Sequence, residues 1–98
     1  MVAAVGWSVY IILCSDGSLY TGISTDVERR FRQHRGGKGA KFFRGRQPLN
    51  IAYRENNYSH ADACRREIAI KKMPRAEKWA LIEIGGMSDA EVTAISSV

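Results

Sequence analysis

The chain has 98 residues, of which 45% are hydrophobic and 26% are charged. A chain of this length buries roughly 60 to 70% of its unfolded surface, so we expect one small domain over residues 1–98, with its core at about 7–84. The composition is typical of a soluble globular protein and excludes extensive disorder. No apolar run approaches the ~20 residues that a membrane-spanning helix needs.

Positive charge is concentrated in the middle of the chain. Fifteen Lys and Arg against ten Asp and Glu give a net charge of +5. Nine of these basic residues lie between Arg29 and Arg54, where no acidic residue occurs, and the first 28 residues contain no Lys or Arg. A localised positive surface attracts a polyanion, and the usual partners are nucleic acid and anionic membranes.

The cysteines and the N-terminus indicate a cytoplasmic protein. Cys14 and Cys64 lie far apart without the paired spacing of a zinc site, so we expect two buried thiols. The apolar N-terminal segment has no basic residues before it and predicts a strand rather than a signal peptide. In a cytoplasmic protein without a membrane segment, nucleic acid is the expected polyanion.

A β-hairpin is predicted close to the N-terminus. Trp7–Cys14 is rich in β-branched and aromatic residues, and Leu19–Ser24 has a similar character. The Asp-Gly pair in the intervening turn predicts that the two segments pair antiparallel. Tyr10 and Tyr20 would then lie on neighbouring strands, with both hydroxyls on one side of the sheet in a plausible register.

A basic amphipathic helix is predicted directly after the hairpin, over residues 26–35. Thr25 is expected to be its N-cap, and Glu28 three residues later would complete a capping box. The four-residue spacing of Arg30 and His34 places them on one face of this helix. They would project together beside the strand that carries Tyr20.

Residues 36–46 form a segment rich in glycine and cations directly after the helix. Its glycines match neither the Walker spacing nor the dinucleotide fingerprint, so we predict no nucleotide-binding loop. Residues 40–46 interleave two aromatic rings with three cations, which suits contact with a phosphate backbone and stacking on bases. At least one of Phe42 and Phe43 is expected to belong to the core. Residues 49–54 are predicted to form a third strand.

Helices are predicted in the second half of the chain. The first spans residues 59–72, with Ser59 as its N-cap. Its inward stripe is expected to consist of Ala61, Cys64 and Ile68, with the apolar stem of Lys71. A break at Pro74 begins a second helix over 75–84, and a capping box predicts a short terminal helix over 88–96.

Glu67 lies immediately beside the predicted inward stripe of the first of these helices. A carboxylate at the margin of a buried face either pairs with a neighbouring cation or binds a ligand. Arg66 and Lys71 are close enough in the sequence to be such cations. Both interpretations stay open on spacing alone.

Taken together, these residues resemble the GIY-YIG nuclease domain, in its small stand-alone bacterial branch. Ser-Val-Tyr at residues 8–10 and Tyr-Thr-Gly at residues 20–22 stand where the family has its two signature triplets. Five polar residues occur in the family's order and spacing: Tyr10, Tyr20, Arg30, His34 and Glu67. The resemblance covers about residues 7–84.

The resemblance implies an α/β fold of the α+β kind, with a central three-stranded antiparallel sheet flanked by helices. It also implies a metal-dependent endonuclease that hydrolyses phosphodiester bonds in DNA, directed by the structure of the substrate rather than by its sequence. A protein partner could supply specificity, and a role in DNA repair would extrapolate from the family. No nucleotide cofactor is expected.

The resemblance also assigns roles in catalysis to individual residues. Glu67 would ligate Mg²⁺ or Mn²⁺, and Arg30 would hold the scissile phosphate. Tyr10 is the first candidate for the general base, although an unperturbed phenol pKa near 10 is poorly matched to neutral pH. His34 is the competing base or supports Tyr10 by a hydrogen bond, and Tyr20 would position the nucleophile or the phosphate.

Nucleic-acid binding and backbone geometry complete the expected site. Four cations would follow the nucleic-acid backbone with little sequence preference: Lys38, Lys41, Arg44 and Arg46. Gly22 is given no chemical role, and would let a neighbouring strand or the substrate backbone approach closely. Two alternatives stay open: a non-catalytic DNA- or RNA-binding module with the same fold, and an adaptor that binds an acidic protein.

Overall fold

The computed structural model describes residues 6–86. The predicted terminal helix over 88–96 lies outside the described residues. The elements in chain order are β1 (Trp7–Cys14), β2 (Leu19–Ser24), α1 (Val27–Arg35), a 3₁₀ turn (Lys41–Phe43), β3 (Pro48–Tyr58), α2 (His60–Lys71), α3 (Arg75–Leu81) and a π-helical turn (Ile82–Gly86). No helix within residues 6–86 is long and apolar enough to cross a membrane.

The three strands form one antiparallel sheet in the order β2-β1-β3. The prediction of a three-stranded antiparallel sheet flanked by helices is therefore confirmed, and β1 and β2 have the predicted bounds. As the central strand, β1 carries residues that are buried on both sides. Its run of β-branched and aromatic residues suits that position.

Alternate residues of β1 contribute to two separate cores. One core joins the odd positions of β1 to α2 and the C-terminal turn, and contains Val9, Ile11, Ala63, Ile70 and Ile82. The other joins the even positions of β1 to α1 and the 3₁₀ turn, and contains Tyr10, Ile12, Cys14, Val27 and Phe43. This alternation, which follows from the two-residue period of a strand, places Tyr10 on the side of the sheet that α1 covers.

The N-cap of α1 is Asp26, and the predicted cap, Thr25, is wrong. The Asp26 carboxylate accepts a hydrogen bond from the backbone N–H of Arg29 at 3.1 Å. Asp and Thr are both good caps, so the sequence allowed either start. Glu28 completes no capping box with Thr25, because its carboxylate instead accepts from the guanidinium of Arg54 on β3, at 2.6 Å.

The predicted inward stripe of α2 is also wrong. Its members do not form the buried face: Ala61 is exposed, Cys64 is half-buried and Ile68 is 53% exposed. The buried residues of α2 are Ala63 and Ile70, which pack against the sheet. Because α2 has small or apolar residues around much of its circumference, periodicity alone did not identify the buried side. Glu67 lies four residues after Ala63 and three before Ile70, which places it on the inward face itself.

β3 continues four residues past its predicted end, through a β-bulge. Trp7 pairs with Tyr58 and Val9 pairs with Glu55, so β3 uses one residue more than β1 over this stretch. Asn57 has a φ of 70°, in the left-handed region that Asn tolerates better than most residues. The extra residue turns the Tyr58 side chain to the side of Glu55, and the Tyr58 hydroxyl donates to that carboxylate at 2.8 Å.

Three smaller predictions have mixed outcomes. Ser59 caps α2 as predicted, because its hydroxyl accepts from the backbone N–H of Asp62 at 3.1 Å. The helix predicted over 75–84 is α helical only over Arg75–Leu81 and then becomes π helical. Both cysteines are free thiols, but only Cys14 is buried as predicted.

Candidate functional site

The two tyrosines lie on the same face of the sheet. In the register of β1 and β2, Tyr10 is opposite Gly22 and Ile12 is opposite Tyr20. Tyr10 and Tyr20 are therefore diagonal neighbours, and their ring centroids are 6.3 Å apart. The sheet itself brings the two phenols together without help from a loop.

Gly22 makes room for the ring of Tyr10. A Cβ atom at residue 22 would lie 2.6 Å from the Tyr10 hydroxyl oxygen and 3.0 Å from the ring of Tyr20. Any side chain here would displace at least one of the tyrosines. The close approach predicted at Gly22 is thus made by the Tyr10 side chain.

His34 is buried against Tyr10. The imidazole is 2% exposed, and its Nε2 lies 3.1 Å from the Tyr10 hydroxyl oxygen. The backbone N–H of Ala40 donates to Nδ1 at 3.3 Å. Since Nδ1 accepts a hydrogen bond, the proton of the neutral ring is assigned to Nε2, which then donates to the oxygen of Tyr10. Burial, reinforced by the charge of Arg30, lowers the pKa of His34 to about 4.

Two residues of the glycine-rich segment, Gly39 and Ala40, were missed by sequence reasoning although they position His34. A Cβ atom at residue 39 would lie 1.9 Å from Nδ1 of His34, so the chain can pass the ring here only as glycine. Ala40 supplies the N–H that selects the tautomer of His34. The sequence does show a glycine run without phosphate-loop spacing, which indicates a close backbone approach. It does not show that the residue approached is His34.

Aromatic residues of the 3₁₀ turn cover His34 and Tyr20. Phe43 is buried, as predicted for one of the two phenylalanines, and its ring centroid lies 4.4 Å from that of His34 and 4.8 Å from that of Tyr20. The ring of Phe42 lies 5.3 Å from that of Tyr20. The Arg46 guanidinium lies 4.3 Å from the centroid of Phe42. The aromatic rings of the 3₁₀ turn therefore pack directly over the side chains of His34 and Tyr20.

Arg30 and Glu67 act on the same two phenols from different helices. The Arg30 guanidinium donates to Gln33 Oε1 at 2.8 Å, which anchors it on α1. Burial first, and then Tyr20, hold the pKa of Tyr10 well above its usual value, while Arg30 opposes this rise and Glu67 adds to it. The pKa of Tyr20 is also raised by burial, and Glu67 again acts in the same direction. Arg30 and Glu67 are thus both electrostatic neighbours of this pair of tyrosines.

Glu67 is the carboxylate that could hold a metal ion at this site. Its side chain is 21% exposed and pairs with Lys71, whose Nζ lies 3.2 Å from Oε2. No group of three or more His, Cys, Asp or Glu residues suited to a metal ion occurs within residues 6–86. A single carboxylate fits Mg²⁺, which is commonly bound through one or two carboxylates with water and substrate phosphate as its other ligands.

The four predicted nucleic-acid-binding cations fall into two groups. Lys38, Lys41 and Arg44 are exposed. Arg46 is partly buried, and its Nε donates to the Asp16 carboxylate at 2.8 Å while Nη1 donates to the carbonyl of Phe42 at 2.9 Å. The structure therefore leaves three of these side chains extended into solvent and ties the fourth to the hairpin turn.

Comparison with known proteins identifies the family. The GIY-YIG catalytic domain family matches residues 6–87 of this chain. The chain is 51% identical over 73 residues to a UPF0213 protein of Halobacterium salinarum, covering 74% of this chain and 95% of the relative. It is 41% identical over 80 residues to a GIY-YIG domain-containing protein of Invertebrate iridescent virus 6, covering 81% of each.

A solved structure supports the same relationship. The solution NMR structure of a UPF0213 protein from Bacillus halodurans is 41% identical to this chain, with a TM-score of 0.56. The similarity covers 89% of this chain and 92% of that one. The chain therefore belongs to the GIY-YIG family and, within it, to the small proteins that carry the name UPF0213.

Proposed function

We propose that this protein is a metal-dependent endonuclease that hydrolyses phosphodiester bonds in DNA and selects its substrate by shape rather than by sequence. One observation carries the proposal: Tyr10, Tyr20, Arg30 and His34 come from β1, β2 and α1 to surround one face of the sheet, and Glu67 of α2 acts electrostatically on both phenols. Membership of a family whose domain is described as catalytic supports it.

Phosphate binding in this proposal falls to Arg30. An arginine stays ionised at any working pH and offers several N–H donors to phosphate oxygens. Its hydrogen bond to Gln33 uses Nη1 and leaves other donors available. The same guanidinium would stabilise the negative charge that grows on the phosphate during hydrolysis.

Glu67 would hold the divalent cation, Mg²⁺ or Mn²⁺. When bound, such an ion supplies positive charge beside the scissile phosphate. The position of Glu67 on the inward face of α2, between two buried residues, restricts the conformations of its side chain. The carboxylate would therefore be presented to the ion in a limited set of orientations.

We assign Tyr10 as the group that accepts the proton of the attacking water. Its phenolate would take that proton while the water oxygen bonds to phosphorus and the bond to the leaving oxygen breaks. His34 is assigned as a positioning residue that donates from Nε2 to the Tyr10 oxygen and so favours the phenolate. His34 is a poorer base because both of its ring nitrogens are engaged and the ring is buried.

The two candidate bases predict different pH dependences of the cleavage rate. Because the pKa of Tyr10 is high, its phenolate fraction should rise about tenfold per pH unit, and the rate should rise with it between about pH 6 and pH 9. A His34 base with a pKa of about 4 would give a flat profile over that range. We expect Tyr10→Phe to abolish the rise and His34→Gln to lower the rate while keeping the slope.

Cleavage of defined substrates tests the proposal. Labelled single-stranded, duplex, flap and branched DNA, with a matching RNA set, would be incubated with the wild type and with Glu67→Gln in Mg²⁺, Mn²⁺ or EDTA. We expect the wild type to cut branched or flapped DNA only with a divalent cation, and Glu67→Gln to bind without cutting. Glu77→Gln, an exposed carboxylate on α3, is the matched control and should cut normally.

Two outcomes would overturn parts of this proposal. Binding of all substrates without cleavage under every condition would favour the non-catalytic binding module. Preferential cleavage of the RNA set would retain the enzyme and replace its substrate.

A further inference from the structure

Lys71 stands beside the one carboxylate that the proposed function assigns to the metal. Its Nζ lies 3.2 Å from Oε2 of Glu67, one helical turn earlier on α2. Pairs of this spacing are common on exposed helix surfaces, where they contribute little. This one differs because Glu67 is mostly buried on the inward face of the helix.

The position of Lys71 connects it to the tyrosines as well. Its positive charge opposes the rise in the pKa of Tyr20 that burial causes, and it does so more strongly than the charge of Arg30. The Lys71 side chain is 52% exposed, so it can move away from Glu67 without breaking a packed core. Lys71 is therefore an exposed cation that contacts Glu67 and acts electrostatically on Tyr20.

We propose that Lys71 is the internal counter-cation of the metal site. Its ammonium group neutralises Glu67 until a divalent cation binds, and then turns to the phosphate of the substrate. This inference rests on the proposed function, since it assumes that Glu67 holds the metal. Sequence reasoning considered Lys71 only as the salt-bridge partner of Glu67 and as an apolar stem.

Two physical arguments support the replacement of Lys71 by a divalent cation at Glu67. The Lys71 ammonium lies 3.2 Å from Oε2 of Glu67, and a divalent cation bound to the same oxygen would be close enough for the two positive charges to repel strongly. The lysine stem is long and flexible, and an ammonium is a good point-charge donor to phosphate. The same side chain can therefore compete with the metal in the free protein and contact the substrate in the complex.

The adjacent residue provides a matched control. Lys72 has the same charge, is exposed and caps the C-terminus of α2. It makes no ion pair within the part of the chain that the structure describes. Lys72→Gln therefore removes the same charge from almost the same place without removing the contact to Glu67.

Binding of Mn²⁺ to the substrate-free protein tests the competition directly. Titration calorimetry would be carried out on the wild type, Lys71→Gln, Lys72→Gln and Glu67→Gln. We expect Lys71→Gln to bind Mn²⁺ about three- to tenfold more tightly than the wild type, because the competing cation is gone. Lys72→Gln should stay within about twofold of the wild type, since it removes a solvent-exposed charge that makes no contact with Glu67.

Cleavage at saturating Mn²⁺ tests the second half of the exchange. We expect Lys71→Gln to raise KM for DNA about threefold or more despite its tighter metal binding, and Lys71→Arg to restore KM because it restores a phosphate donor. Equal Mn²⁺ affinities for Lys71→Gln and Lys72→Gln would overturn the competition. Tighter metal binding with an unchanged KM would overturn the contact with phosphate.

The failure of this inference is distinguishable from that of the proposed function. If Glu67→Gln binds Mn²⁺ as the wild type does, the assignment of the metal to Glu67 is wrong. If Glu67→Gln loses Mn²⁺ and Lys71→Gln behaves as Lys72→Gln does, only the role of Lys71 is wrong.

Discussion

The chemistry of His34 depends on its immediate surroundings more than on its intrinsic properties. An unburied imidazole would titrate close to neutral pH, which is why a histidine beside a tyrosine suggests a base. In this protein the ring is buried between Tyr10 and Phe43, with Ala40 bonded to its other nitrogen. These contacts favour a neutral ring with a fixed tautomer, which suits hydrogen-bond donation rather than proton exchange with water.

The buried neutral state of His34 predicts a pH-dependent stability. Below about pH 6.5 the unfolded chain protonates this imidazole, whereas the folded ring stays neutral down to about pH 4. Stability should therefore fall as the pH drops through this window, by about 2 kcal/mol between pH 7 and pH 5. Denaturant unfolding of the wild type and His34→Gln should show this loss only in the wild type.

A control variant separates His34 from other titrating groups. His60→Gln replaces the exposed histidine and leaves His34 in place, so the loss of stability expected from His34 should persist in this variant. The carboxylates with lowered pKa values, such as Glu28 at about 2, lose their contribution only at more acidic pH. Equal slopes for the wild type and His34→Gln would contradict the prediction.

Gly39 is the second residue whose role follows from one contact. Replacement by Ala would bring its Cβ to within 1.9 Å of the His34 ring, so either the ring or the segment must move. We expect Gly39→Ala to lower the free energy of unfolding by about 1–3 kcal/mol and to reduce cleavage. Chemical denaturation and the imidazole NMR signals of His34 would measure the two effects.

Gly36 supplies the matched glycine. Its φ is −81°, and a Cβ there would meet only the Arg32 carbonyl oxygen at 3.4 Å and that of Gln33 at 3.7 Å, both ordinary contacts. Gly36→Ala should leave stability within about 0.5 kcal/mol of the wild type, or raise it slightly. A similar loss in both variants would mean that the whole segment, rather than contact with His34, is sensitive.

At the scale of elements, one polar cluster holds α2 on β3. The carboxylate of Glu55 accepts two hydrogen bonds from the Arg66 guanidinium, at 2.9 and 2.8 Å, and others from the hydroxyls of Tyr53 and Tyr58. Burial raises the pKa of Glu55, but the hydrogen bonds from Arg66 and the two tyrosines outweigh it and lower the pKa overall. Arg66 is adjacent to Glu67 on α2. This cluster therefore also limits the rotation of α2 about its axis, and with it the direction in which the Glu67 side chain points.

Loss of the two hydrogen bonds from Arg66 to Glu55 should destabilise the protein. Arg66→Ala leaves a mostly buried carboxylate without its cation, which should cost about 2 kcal/mol in the free energy of unfolding. Arg65→Ala, the neighbouring change, breaks a pair with Asp62 whose side chains are 74% and 59% exposed. It should cost less than about 0.5 kcal/mol, and urea unfolding of both variants would measure the contrast.

Charge is distributed unevenly over the whole molecule. Lys38, Lys41 and Arg44 extend from the segment that packs on His34, so the positive surface adjoins the proposed site. Arg46 belongs to the same segment, but its contacts to Asp16 and Phe42 assign it a structural part as well. Of the four cations predicted to follow the nucleic-acid backbone, three are therefore exposed and one, Arg46, is anchored by other contacts.

DNA binding should weaken and lose salt dependence when the three exposed cations are removed. Replacing Lys38, Lys41 and Arg44 by Ala should reduce the slope of log affinity against log salt by about 2 to 3, because each phosphate contact contributes about 0.9. Fluorescence anisotropy at several salt concentrations would measure it. Removing the same charge at Arg65, Lys72 and Lys78, on α2 and α3, should change the slope by less than about 1. Equal effects of the two triple variants would contradict a localised binding surface.

Local signals were sufficient for much of the fold. The bounds of β1 and β2 followed from β-branched runs around an Asp-Gly turn, and Ser59 was recognisable as a cap. The signals were ambiguous where chemistry allowed two answers. Asp and Thr are both residue types that cap helices, so the sequence did not decide between Asp26 and Thr25. The buried face of α2 could not be chosen because small and apolar residues lie on several sides of this helix.

The sequence by itself determined the antiparallel hairpin, the order of the elements, the family signature and the localised positive charge, because these depend on neighbouring residues and on composition. Only the tertiary structure decided that His34 is buried and lies within hydrogen-bond distance of Tyr10, and that Gly39 leaves room for its ring. Only the tertiary structure, likewise, decided that Glu67 faces inward and pairs with Lys71. These properties arise from contacts between residues far apart in the chain. Burial and electrostatic fields are set by the packed neighbours and not by spacing along the sequence.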